Sequence, residues 1–103
     1  MLDAALEARA LLQHKTLPEM SADRVLSLAL VKLIEIIGEA ASAPSAETRA
    51  AIPDIPWPLV RSMRNRLIHA YFEIDYEIVW STVTEDLSPL IEALERSLSD
   101  TSA

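Results

Sequence analysis

Residues 21–42 read Ser21-Ala22-Asp23-Arg24-Val25-Leu26-Ser27-Leu28-Ala29-Leu30-Val31-Lys32-Leu33-Ile34-Glu35-Ile36-Ile37-Gly38-Glu39-Ala40-Ala41-Ser42. Ser21 suits a helix N-cap, Asp23 favours the positive end of the helix dipole, and apolar residues fill most positions from 25 to 37. The polar residues Arg24, Ser27, Lys32, Glu35, Glu39 and Ser42 fall near one narrow stripe at helical spacing. A helix apolar on most of its sides belongs at the centre of a fold. It needs neighbours on several faces, a second subunit among the candidates. Gly38 permits a close backbone approach or weakens the last turns.

Working outward, residues 3–14 form a first helix with a modest stripe of Leu2, Leu6 and Leu12, closed off by Leu17-Pro18. Downstream, residues 45–51 read as a short capped helix after Pro44. Ile52-Pro53-Asp54-Ile55-Pro56-Trp57-Pro58 cannot continue it, because proline removes donors and clashes with the preceding turn. Pro58 suits the first position of a helix running through Val60, Met63 and Leu67 to about Ala70 or Tyr71. Asp75 then caps a long amphipathic helix carrying Trp80, Val83, Leu87, Leu90 or Ile91, Leu94 and Leu98. Pro89 kinks or splits that helix, and the tail from Ser99 to Ala103 is expected to fray.

Composition agrees with an all-α architecture, a four- or five-helix bundle in one domain spanning residues 1–103. Half of the 103 residues are apolar and only one is glycine, while Ala and Leu abound, so few residues resist the helix. A chain of this length removes roughly two thirds of its unfolded surface from water and can hold one core. With no cysteine there is no disulfide framework and no thiolate metal site. The acidic start, Met1-Leu2-Asp3-Ala4, and the want of a long apolar run lead to the expectation of a soluble, cytoplasmic protein with no membrane partner.

A net charge of −7 argues against indiscriminate nucleic-acid binding, yet the charge is unevenly spread. Residues 1–60 carry eight acids and five bases and residues 72–103 eight acids and one base, whereas residues 61–71 carry Arg61, Arg64 and Arg66 and no acid. One glycine provides no phosphate-cradling loop, and His14 and His69 are too far apart to suggest a ligand cluster, so no cofactor and no metal are expected. Glu35 and Glu39 read as a solvated face before a catalytic pair, Trp57 and Trp80 as core before base-stacking platforms, and His14 as a surface residue near a helix end.

The chemistry-bearing segment is Arg64-Asn65-Arg66-Leu67-Ile68-His69-Ala70-Tyr71. Arginine offers a charged fork for phosphate and histidine exchanges protons near neutral pH, which suits RNA cleavage without a metal ion. On one straight helix, however, Arg64 and His69 lie about 140° apart, while Asn65 and His69 share a face. A bend, the reach of arginine, or a second copy across a dimer would bring them together. The same residues also fit a plainer reading, in which Arg64 and Arg66 are solvated, His69 is hydrogen-bonded and partly buried, and Tyr71 is an amphipathic plug.

The chain resembles the HepT branch of the HEPN superfamily. The resemblance is carried by residues 33–41, by Ile55-Pro56-Trp57, by residues 63–71, by Asp75 with Ile78-Val79-Trp80, and by Asp86-Leu87 with Leu90-Ile91. It is weakest before about Ser21. Its motif of Arg, four residues, His, one residue, Tyr falls on Arg64, His69 and Tyr71. The resemblance implies a homodimeric helical bundle with its cleft between protomers. It also implies a metal-independent endoribonuclease toxin acting on RNA, paired with an MntA-type nucleotidyltransferase antitoxin. Arg64 and His69 would then be catalytic and Asn65 supporting, Tyr71 the adenylylated residue, with Arg61 and Arg66 candidates for holding RNA. Two other readings stay open, a non-catalytic module that binds a nucleotidyltransferase and a purely structural helical dimer.

Overall fold

The computed structural model describes residues 1–62, 68–69 and 73–102; residues 63–67, 70–72 and 103 lie outside the described set. The fold is helical. In chain order come α1 (Leu2–Leu12), α2 (Leu17–Ala22), α3 (Arg24–Ser42), α4 (Ala46–Ala51) and α5 (Trp57–Ser62), followed by β1 (Ile68–His69) and β2 (Glu73–Ile74). Then α6 (Tyr76–Ser81), a π-turn (Thr82–Asp86) and α7 (Leu87–Ser102) make one continuous helical stretch.

The start of the central helix differs from the sequence reading. Ser21 lies inside α2, and the cap of α3 is Asp23, whose carboxylate accepts from Leu26 N at 3.0 Å. Two residues after α2 ends the chain is already helical again, so Ser27 of α3 comes beneath α2 and its hydroxyl donates to Met20 O at 2.7 Å. Ser27 is therefore buried, away from the polar stripe. Leu17-Pro18, expected to close the first helix, instead begins α2. Thr16 accepts from Glu19 N while Glu19 accepts from Thr16 N, a reciprocal capping box with proline in the first turn, where its missing N–H is no loss. The signal Thr16-Leu17-Pro18-Glu19 was present in the sequence.

α1 ends two residues earlier than expected, with exposed His14 at φ 64°, the left-handed conformation that commonly closes a helix. Its inward face is made by Ala4, Ala5, Ala8 and Leu12, with Leu2 and Leu6 only half-buried. Small residues let α1 lie close on α3. Ser45 caps α4 as expected, accepting from Thr48 N at 3.1 Å.

Pro89 does not split the last helix. In a regular helix the Pro89 ring would crowd the Glu85 carbonyl. The π-turn lies just there: Leu87 N donates five residues back to Thr82 O, which widens the turn that meets the ring.

The core is one cluster. Leu30, Ile34 and Ile37 of α3 are fully buried with Met20, Val60, Val79, Leu87 and Leu90. α3 packs against α1, α2, α5 and α6, and α7 against α1 and the π-turn. The chain measures 43 × 30 × 17 Å, and a 17 Å thickness holds only about two layers of helices spaced 8–10 Å apart. A slab that thin cannot surround its central helix. One face of α3 is left outside, with Val25 80%, Leu28 46% and Ile36 39% exposed.

Candidate functional site

The segment singled out by sequence is flanked by two anchored stretches of chain. On the upstream side, Trp57 Nε1 donates to Arg49 O at 2.9 Å and Ile52 O at 3.0 Å, which ties the proline-rich connector to the end of α4. Trp57 is thus a half-buried structural clamp, as its apolar setting suggested. Val60, fully buried, then seats α5 on α3. On the downstream side Ile74 is buried, and Asp75 caps α6 by accepting from Ile78 N at 3.1 Å. Val79, one turn on, is fully buried and holds α6 in the core.

At Ile68–His69 the backbone departs from the expected helix. α5 is recorded to Ser62, and β1 pairs antiparallel with β2, Ile68 opposite Ile74 and His69 opposite Glu73. The expectation of a helix reaching Ala70 or Tyr71 fails at Ile68–His69, which is extended. The cause lies downstream. Buried Ile74 and the Asp75 cap fix where the chain re-enters the core, and only an antiparallel return lets residues 68–69 pair with 73–74. The angle of about 140° between Arg64 and His69 presupposed one straight helix, and that premise no longer holds.

Of the sequence-predicted site residues, Arg61 lies in the last turn of α5 and His69 on β1 opposite Glu73. Arg64, Asn65, Arg66 and Tyr71 lie outside the described residues. The described flanks of the motif are α5, seated on α3, and the buried Ile74 with the Asp75 cap of α6.

Other candidates resolve. Glu35 pairs with Lys32 at 4.0 Å across one helical turn and Glu39 is exposed, so this carboxylate pair is a solvated face. A surface pair of this kind is worth less than about 1 kcal/mol. Among the described residues no group of three His, Asp or Glu side chains could hold a metal ion, and no helix is long and apolar enough to cross a membrane. A groove of about 660 Å³ lies between α1 and the π-turn, lined by Leu6, Arg9, Gln13, Val83, Thr84 and Ser88 among others. Sequence reading did not single it out. Its outlines depend on the π-turn, which only the packed helix reveals.

A family model described as ribonuclease HepT-like matches residues 1–97. A protein of Thermococcus cleftensis named "Probable ribonuclease HepT" is 38% identical over 74 residues, 72% of this chain and 67% of that relative. Relatives named as candidate RNases occur in Caldanaerobacter subterraneus subsp. tengcongensis, 37% identical over 74% of this chain and 68% of the relative, and in Methanocaldococcus jannaschii, 36% identical over 71% and 67%. No solved structure matches the chain.

Proposed function

The chain belongs to the ribonuclease HepT-like family, and from that premise we propose that it is itself an endoribonuclease whose chemistry is carried by Arg64 and His69. The observation that carries this reading is the family match across residues 1–97, which includes the whole basic segment 61–71. In the proposed reaction His69 takes the proton of a ribose 2′-hydroxyl. The 2′-oxygen attacks the adjacent phosphorus and the 5′-oxygen leaves with a proton returned to it. Arg64 offsets the charge that builds on the phosphoryl oxygens. Asn65 supports the site and Arg61 and Arg66 hold RNA phosphates. No step calls on a metal ion.

The working unit in this proposal is a homodimer with a composite cleft. Two copies supply two histidines, one as base and one as acid. The protein is the toxin of a toxin–antitoxin pair, and a nucleotidyltransferase of the MntA type silences it by adenylylating Tyr71. The tyrosine oxygen attacks the α-phosphorus of ATP and releases pyrophosphate, leaving bulk and a negative phosphate where RNA phosphate has to sit.

Purified protein incubated with RNA and a chelator should cut it. His69→Ala should lower the rate about 10²-fold or more, and Arg64→Ala by a comparable factor. Cleavage that survives either substitution removes that residue from the chemistry, and intact RNA with the unsubstituted protein favours the non-catalytic module that binds a nucleotidyltransferase. After exposure to the nucleotidyltransferase and ATP, mass spectrometry should find AMP on Tyr71 and none on Tyr71→Phe. An adduct elsewhere contradicts the switch.

A further inference from the structure

The groove between α1 and the π-turn sets a polar rim over an apolar floor. Leu12 and Val83, both buried in the core, form the floor, and half-buried Leu6 extends it. On α1, Leu6, Arg9, Ala10 and Gln13 recur at intervals of three and four, so the helix turns one stripe towards the groove. The facing wall is Thr84 of the π-turn and Ser88 at the start of α7. A π-turn inside an α-helix is a frequent companion of functional sites. The volume of about 660 Å³ also falls within the range of about 300–1,000 Å³ that holds small molecules.

The polar groups of the rim are not spent on one another. The Thr84 hydroxyl donates to Trp80 O at 2.7 Å, so its hydrogen is engaged within its own helix. Among the described residues, the side chains of Arg9, Gln13 and Ser88 have no hydrogen-bond or ion-pair partner. Three donor groups thus border one apolar hollow, and one of them carries a full positive charge.

The charge around the groove limits what those donors can hold. Arg9 is the only base among residues 1–13, and residues 76–95, the rod that forms the facing wall, carry five acids and no base. One cation in such a field compensates a single negative charge. A phosphate monoester would bring nearly two, the second of them repelled by the acidic rod. We propose that the groove binds a small organic monoanion, one carboxylate on a hydrocarbon body. The Arg9 guanidinium takes the carboxylate, with the Gln13 amide one turn on as a second donor, and the hydrocarbon lies over Leu6, Leu12 and Val83. The proposal is independent of the ribonuclease reading.

The test is an NMR titration of the ¹⁵N-labelled full chain with octanoate, beside neutral octanamide and largely dianionic octyl phosphate. Octanoate should shift the amides of residues 9–13 and 83–88 saturably and bind more tightly than either control. Arg9→Met keeps an aliphatic stem and removes the charge. It should weaken octanoate about fivefold or more and leave octanamide unchanged. Ala10→Trp, at an exposed position, should fill the groove and abolish binding of both. The dispersion of the amide spectrum confirms that each variant is folded. Octanoate that causes no saturable shift, or shifts residues elsewhere, overturns the proposal, as does binding that survives folded Arg9→Met or Ala10→Trp unchanged. Octanamide or octyl phosphate binding as tightly as octanoate overturns the assignment of a carboxylate.

Discussion

α3 and α7 are the two long helices of the molecule, with 19 and 16 residues, and they treat their outer faces in opposite ways. On α7 the buried side carries Leu87, Leu90, Ile91 and Ala93, and the far side carries Glu92, Glu95 and Arg96, all exposed. That is the pattern of a helix with one apolar side and one wet side. On α3 the inward side is as apolar as that of α7, but the outward side holds Val25, Leu28 and Ile36. The two helices therefore do equal service in the core and differ in the chemistry of the side they turn outward.

The largest effects should show the two helices alike. Ile34→Ala in α3 and Leu90→Ala in α7 each remove a fully buried side chain and should each cost about 2–5 kcal/mol, read from urea midpoints at constant slope. A loss under about 1 kcal/mol at either site would show that this helix does not anchor the core. Substitutions on the outer faces should separate them. Leu28→Glu should lower the binding of a hydrophobic dye to the folded protein, whereas Glu95→Ala on α7 should leave dye binding unchanged and stability within about 0.5 kcal/mol. A change of dye binding with Glu95→Ala would erase the contrast.

Much of the fold was legible along the chain because it depends on local rules. The α4 cap at Ser45, the rigid connector around Pro53 and Pro56, and the Asp75 cap all act within three or four residues. The failures have physical causes of a different range. Ser21 and Asp23 are both good caps, and only the seat of Ser27 under Met20 O shows that Asp23 is the one that begins α3. The strand at Ile68–His69 depends on pairing with Glu73–Ile74, a contact that helical periodicity cannot report. Pro89 was visible as a difficulty, but its relief by a π-turn one turn upstream required the rod of α6 and α7 to stay packed through it. The candidate segment was marked by its charge distribution and its residue roles came from the family resemblance, and the structure adds the two anchors, Trp57 with Val60 and Ile74 with Asp75, that bracket it.

The amino-acid sequence by itself determined a helical chain with a nearly all-apolar central helix and a single basic segment, since propensity, capping and charge are properties of neighbours along the chain. Tertiary structure alone decided which side of that central helix is left over, because exposure depends on how many layers the other helices can build. Here they build about two across 17 Å, and Val25, Leu28 and Ile36 remain outside.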